Sequence, residues 1–366
     1  MWAGLADRLK GIVRFSLCIG VCLINVNGIP TIADDRLVSP MDDFRIRIGS
    51  RRVVIVPDIH GDLNALEVIL KSEKLIDAEG NWVGESDVLV FLGDLIDREP
   101  YSRGVMDLVM RLQSQAADRG GHVEALLGNH ELMVSKGDDR YVSKLEKRSF
   151  RDYGDDFIEG HLMAYSGDSI YSRWIANRRT MIQIIPDTGK SFLLVHAGLG
   201  RWIFNFTPDE VNQGLQEWIR YYQGAGERPS NKKSVLAAIR DNEFGPLWDR
   251  KMVNFAMSRE PNPELSREEI FVYLKELGAD AVIVGHTPTN DFIEDRRMIR
   301  QTPNLGRRLI LADTGVASYY GGRLSSLVIE GGKVQARYYR RPSFLMPLTK
   351  RVHEQCFGPF RKLGLS

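Results

Sequence analysis

Five short stretches carry the residues able to do chemistry, and each follows an apolar run. "PDIHGD" supplies Asp58 and His60, "GDLIDR" supplies Asp94, Asp97 and Arg98, and "GNHE" supplies Asn129 and His130. "HAGL" adds His196 and "GHT" adds His286. Of the seven histidines, His122, His161 and His353 lack such surroundings and read as structural or surface residues. Singly, each stretch is weak, because an Asp-x-His can cap a loop and Gly-Asn is ordinary turn chemistry. All five in this order at strand ends are hard to explain as turns. Imidazole, carboxylate and amide oxygen make a mixed donor set that suits manganese, iron or zinc and not a calcium cage. A set of about six such donors exceeds one tetrahedral zinc site but suits two ions sharing a carboxylate. Two ions about 3.5–4 Å apart can acidify a bridging water, aim it in line at phosphorus and neutralise charge on the transferred group. The nucleophile is then hydroxide, so no reactive Cys or Ser motif is needed.

Side chains at the carboxyl ends of strands can converge on a crevice beyond them, so strands are what must position these groups. Short runs rich in Val, Ile and Leu recur at 53–56, 88–92, 123–127, 192–195, 281–284 and 309–312, and predict buried strands. Helical spacing follows the first two: Leu63, Leu66, Ile69 and Leu70 share one face, as do Val105, Leu108, Val109 and Leu112. Strand, loop and helix thus alternate, which predicts an α/β layered core. Residues 134–190 read as a helical or loop insertion, and 200–280 as largely helical. "SSLVIEGGKVQARYY" reads as a hairpin closed by Gly331 and Gly332. Without internal repeats or low-complexity linkers, one catalytic domain over 50–342 with insertions near 134–190 and 200–280 is expected, followed by a tail over 343–366.

The chain has 366 residues, 43% apolar and 27% charged, which is ordinary for a soluble globular protein and enough for a large core. A net charge of +1 gives no basic footprint, so no nucleic-acid partner is expected. At the N-terminus, Arg8, Lys10 and Arg14 precede "FSLCIGVCLI" and then the polar "NVNGIPTIADD". That order predicts a signal peptide over 1–33 and export, most simply to a bacterial periplasm. The apolar run is about half the roughly 20 residues that span a bilayer, so an uncleaved anchor is the lesser alternative and the only route to a membrane. Cys18 and Cys22 lie inside that run, leaving Cys356 alone after cleavage and no intramolecular disulfide. Cys356 in "CFGPFR" falls one residue short of a Cys-x5-Arg nucleophile motif and reads as a tail residue.

The motif order resembles the metal-dependent phosphoprotein phosphatases of the calcineurin-like metallophosphoesterase superfamily. More narrowly, "GGHVEALLGNHELMVSKGDDRYV", "HAGL" and "LADTGVASYYGGRLSSLVIE" resemble the Shewanella-like protein phosphatases, over roughly Val53 to Tyr339. The resemblance implies a central β-sandwich flanked by helices and a pair of divalent ions (Mn, Fe or Zn). It implies Asp58, His60 and Asp94 around the first ion, with Asp94 bridging to a second held by Asn129, His196 and His286. It also implies His130 as the general acid oriented by Asp97, and Arg98 on the phosphate oxygens. Arg250, in "PLWDR", matches the position of a second arginine. Asp62 is expected to cap the helix that follows it.

Two residues depart from the family pattern: Pro57 before the first acid and Glu99 after "DR", both places where the family usually has Gly. A left-handed backbone at Glu99 would carry strain, which points to altered substrate preference without loss of a ligand or of the acid. The expected activity is that of a phosphomonoesterase acting on phosphorylated proteins or peptides, leaning to phosphotyrosine. Hydrolysis of dinucleoside polyphosphates or other small phosphoesters, and metal-holding phosphoprotein binding without turnover, are the alternatives. Tyr141, Tyr153, Tyr165 and Trp174 could stack a phenyl ring or a base, although core packing of the insertion is the better explanation of them.

Overall fold

The computed structural model describes residues 44–229, 245–258, 265–289 and 302–341. The expected leader over 1–33, Cys356, His353 and the tail over 343–366 lie outside the described residues. Among the described residues, ten strands form two 5-stranded sheets. The first runs β1 (Arg45–Gly49), β5 (Met181–Pro186), β6 (Phe192–Val195), β7 (Ala281–Val284), β8 (Leu309–Leu311). The second runs β10 (Lys333–Tyr339), β9 (Leu324–Glu330), β2 (Val53–Val56), β3 (Val88–Phe91), β4 (His122–Ala125). All six strands read from the sequence are present, and the hairpin turns on Gly331 and Gly332, whose φ values of 54° and 72° are those a two-residue turn of this hand requires.

The central strands are apolar throughout because both of their faces are covered. Val53, Ile55, Val88 and Val90 join Ile182, Leu194, Ile283 and Ile310 in one cluster between the sheets. Their alternates Val54, Val56, Leu89 and Phe91 face the helices instead. This is the expected sandwich flanked by helices. The helices are α1 (Leu63–Ser72), α2 (Ser102–Asp118), α3 (Asn129–Ser135), α4 (Lys144–Ser149), α5 (Phe157–Ala164), α6 (Ile170–Ala176), α7 (Pro208–Tyr222), α8 (Lys251–Met257) and α9 (Arg267–Leu277).

Two core strands were not legible in the sequence pattern. β1 alternates Arg with Ile, and β5 lies inside the segment 134–190 that reads as an insertion. Each pairs with the other in parallel, from Arg45 opposite Gln183 onward, so each finds its partner more than a hundred residues away. The helical part of that segment, α4 to α6, does pack outside the sheets, and its Phe150, Tyr165, Tyr171 and Trp174 join the large apolar cluster that faces the helices.

Parallel pairing sets the site's position. β2, β3 and β4 run parallel, as do β6, β7 and β8. Their carboxyl ends deliver the loops at 57–62, 92–98, 126–130, 196–200, 285–289 and 312–317. At the outer edge of β4, buried Glu124 joins Arg179 just ahead of β5, tying one sheet to the strand that enters the other. Burial disfavours its charge, yet Arg179 and the hydrogen bonds from His122 and Arg179 hold its pKa far below the ordinary 4.5. A depressed native pKa stabilises the fold above the unfolded value and loses that contribution as pH falls through the folded one. Glu124→Gln should cost about 3 kcal/mol at neutral pH and flatten the acid limb of stability below pH 4.5, measured by urea unfolding against pH.

Candidate metal centre

The loop after β2 starts the site. Gly61 turns at φ +71°, where an added Cβ would stand 2.4 Å from the Glu99 carbonyl oxygen, so the loop can pack only with glycine there. Asp62 then caps α1 by accepting from Ala65 N at 2.9 Å. Its other oxygen accepts from Ser318 N at 2.9 Å, the Ser318 hydroxyl at 2.7 Å and Arg341 Nη1 at 2.8 Å. Asp62 is a structural tie, as its capping position implies. Asp58 and His60 face the other way, into the crevice, and both are buried.

Asp94 is the meeting point. Its Oδ2 lies 3.5 Å from His196 Nε2, 3.6 Å from His60 Nε2 and 3.9 Å from His130 Nε2. Its Oδ1 accepts from His130 N at 3.0 Å. Gly128 is required beside it, because a Cβ there would overlap Asp94 Oδ1 at 2.1 Å. Asn129 Oδ1 sits 3.0 Å from His196 Nε2. His286 donates its backbone N–H to Asp58 Oδ2 at 3.0 Å. Among the described residues, potential ligand atoms of Asp94, His196 and His286 lie within 4.8 Å of one another, and so do those of His60, Asp94 and His130.

The chemistry of these donors calls for cations. His196 Nδ1 is 2.8 Å from the Leu92 carbonyl and His60 Nδ1 is 3.2 Å from that of Ile96, so in each ring Nδ1 donates and Nε2 presents a lone pair to the centre. His196 Nε2 faces both Asn129 Oδ1 and Asp94 Oδ2, an arrangement that a positive charge, whether a proton or a bound cation, holds together. Burial opposes a proton on His196, but Asp94 and Asp58 raise its pKa to about 10. His60, pushed down to about 3 by burial, is a neutral donor, and His286 is held low by burial and by His196. Asp58 is raised by burial and by Asp313, and its Oδ1 has no hydrogen-bond partner among the described residues. A buried, unpartnered carboxylate oxygen beside two neutral imidazoles and a second acid fits a divalent cation.

A second arrangement stands beside the first. His130 Nδ1 is 2.7 Å from Asp97 Oδ2. Burial lowers the His130 pKa, but Asp94 and the hydrogen bond to Asp97 outweigh it, so the net shift is upward. Arg98 Nη2 is 3.5 Å from His130 Nε2. Arg250, exposed on the far wall, donates from Nε to His286 Nε2 at 3.3 Å and from Nη2 to the His286 carbonyl at 3.4 Å. Every site residue read from the sequence therefore lies in or against one cleft of ≈ 470 Å³ or in the shell directly behind it.

Two open readings are resolved. Glu99 is not left-handed; the left-handed pair is Asp97 and Arg98, at φ 70° and 68°. Among the described residues, every other non-glycine residue with positive φ except Lys74 and Glu85 also belongs to this site: His60, Asp94 and His286. Of the four aromatics considered for substrate stacking, Tyr165 and Trp174 are 1% and 4% exposed in the core and Tyr153 packs against it; Tyr141 alone lines the cleft. Tyr320 and Trp248 line it too, and neither was singled out by the sequence.

Glu131 and Asp313 were also missed. Glu131 accepts from Asp94 N at 3.0 Å, Leu95 N at 2.8 Å and Gly128 N at 2.8 Å, locking the two ligand loops together. Its place three residues after Gly128 is a helix-capping spacing that could have flagged it. Asp313 ends β8 as Asp58 ends β2, and burial pushes it up to about 7.

Residues 51–290 match the family described as Calcineurin-like phosphoesterase. An uncharacterized protein of Schizosaccharomyces pombe is 28% identical over 280 residues, 76% of either chain. Shewanella-like protein phosphatase 1 of Plasmodium berghei is 26% identical over 242 residues, 64% of this chain and 61% of its own length. This chain thus spans less than two thirds of that relative. The crystal structure of a Cold-Active Protein-Tyrosine Phosphatase from a psychrophilic Shewanella species superposes with a TM-score of 0.60 at 24% identity, covering 83% of this chain and 84% of that one, and shares the fold. More than half of the chain matches one family, and the sheets and the histidine–carboxylate clusters agree with it: this protein belongs to the calcineurin-like phosphoesterases, hydrolases of phosphate esters that bind divalent metals.

Proposed function

We propose that the protein is a metal-dependent phosphomonoesterase acting on phosphorylated proteins or peptides, with a preference for phosphotyrosine. Asp58, His60 and Asp94 hold one divalent ion; Asp94, Asn129, His196 and His286 hold the other. When bound, the ions supply an activated water and neutralise charge on the phosphoryl group. The remaining work belongs to side chains of the cleft. Arg98 and Arg250 both line it and bind phosphate oxygens, for which the planar guanidinium is suited. His130, oriented and charged by Asp97, delivers its proton to the leaving oxygen. The observation that carries the reading is the single spot where Asp94 Oδ2 lies within 3.9 Å of His130 Nε2 while Arg98 Nη2 lies 3.5 Å from that same nitrogen. That proximity supports a center in which the metal donors, the His130 imidazole and the Arg98 guanidinium act on one phosphate. The relatives named as protein phosphatases support the substrate class, and the rings of Tyr141, Tyr320 and Trp248 around the cleft support an aryl ester.

Manganese-loaded protein should release phosphate from a phosphotyrosine peptide faster than from a phosphoserine peptide or a dinucleoside tetraphosphate. Turnover confined to the dinucleotide would replace the substrate class. Metal-bound protein that hydrolyses none of the three would mark a binding protein instead. His130→Asn should lower kcat by about 10²–10⁴-fold with metal content unchanged by elemental analysis; loss of metal would mean His130 is a ligand. His196→Ala should lose bound metal by the same measurement while the fold, followed by circular dichroism, persists.

A further inference from the structure

A left-handed turn built from two residues with side chains is costly, and it persists only where its surroundings leave no alternative. Asp97 and Arg98 form such a turn, at φ 70° and 68°. One arm of the helical insertion grips it from two sides. On the outside, the Tyr141 carbonyl accepts from Arg98 N at 3.0 Å, and the Tyr141 ring lies 4.4 Å from the Arg98 guanidinium and 5.2 Å from the His130 ring. On the inside, Asp97 N donates to the Ser102 hydroxyl at 2.9 Å, and that hydroxyl faces the carboxyl of Glu146 on α4.

Glu146 is an odd residue for its place. It is 0% exposed, neither oxygen has a hydrogen-bond partner within bonding distance among the described residues, and the nearest imidazole, His161 Nε2, is 3.9 Å away. Burial and the neighbouring Asp97 both raise its pKa. A leucine there would avoid the desolvation cost, so the acid does not serve stability.

We infer that the Tyr141–Glu146 arm is the positioning device for the Asp97–Arg98 turn, Tyr141 setting the Arg98 guanidinium and Glu146, through Ser102, setting the Asp97 carboxylate against His130. Both are positioning residues, and the inference rests on the roles proposed above for Asp97, Arg98 and His130. It separates two kinetic effects. Disturbing Glu146 should act on proton delivery, and disturbing Tyr141 on phosphate binding.

The test uses the metal-loaded full chain and a phosphotyrosine peptide. Glu146→Leu should leave thermal stability equal or higher while lowering kcat by about 10- to 10²-fold with KM unchanged. Ser102→Ala should lower kcat in the same way, and Glu146→Gln, which keeps the polar group, should recover most of the loss. Tyr141→Leu should raise KM, and Tyr141→Phe should restore it. In the His130→Asn background Glu146→Leu should add no further loss, and in the Arg98→Ala background Tyr141→Leu should add none. Stable Glu146→Leu and Tyr141→Leu variants with native kinetics, or losses that add fully in those backgrounds, overturn the inference while the acid and phosphate roles stand. Native kinetics for His130→Asn and Arg98→Ala themselves overturn those roles, and the inference with them.

Discussion

The site depends on the concentration of electron pairs around one buried oxygen. Asp94 Oδ2 gathers the Nε2 atoms of His60, His130 and His196 within 3.9 Å, with Asn129 Oδ1 3.0 Å from the last. Away from water such a gathering is unstable unless positive charge lies among the donors. Protons can supply part of it, which is why His196 and His130 are both raised by the acids around them, Asp94 foremost. Divalent cations supply it better, since His60 and His286 remain neutral donors and Asp58 keeps an oxygen without a hydrogen bond. The same electrostatic demand therefore accounts for the fit of the cluster to divalent cations and for the upward shift of His130 beside it.

Holding these groups in place against repulsion and strain falls to the sandwich. Three parallel strand ends from each sheet open on the same edge, and a cluster of buried apolar side chains fills the space between the sheets behind them. Close-packed interiors yield little, so the loops can keep left-handed conformations at His60, Asp94, Asp97, Arg98 and His286. Glu131 adds a polar lock, accepting three backbone N–H groups from the Asp94 and Gly128 loops. Among the described residues, left-handed backbone at non-glycine positions is concentrated in this center, Lys74 and Glu85 apart, and the packed layers lie beneath it.

The cleft walls come from elsewhere in the chain. Tyr141 arrives on the helical insertion, Trp248 and Arg250 on the segment leading into α8, and Tyr320 on the loop before β9. Arg98 stands among Tyr141, Tyr319 and Tyr320, with its guanidinium 4.4, 4.8 and 5.3 Å from the three rings. An arginine stacked this way keeps its orientation while its edge stays available to an anion. Pro57 and Glu99, the departures from the family pattern, disturb none of this: Pro57 is buried behind Asp58, and Glu99 simply donates its N–H to the carbonyls of His60 and Asp97.

The residues of the candidate centre could be read from the chain because their types are chemically distinctive and each ends an apolar run whose period already implied a strand. Local spacing likewise determined α1, α2, the glycine hairpin and the cap at Asp62, since those features are built from neighbours in sequence. What the chain could not disclose was set by remote partners. β1 and β5 are defined by pairing with each other, and an alternating Arg–Ile run means little until that partner exists. Tyr141 and Tyr165 look alike in sequence, yet one is 40% exposed on the cleft and the other 1% exposed in the core, because packing of the insertion decides which ring meets solvent. Glu131 and Asp313 were hidden for the same reason: their carboxylates act on loops brought to them only by the closing of the two sheets. Sequence determined which chemistry was available; tertiary packing decided which atoms stand close enough to perform it.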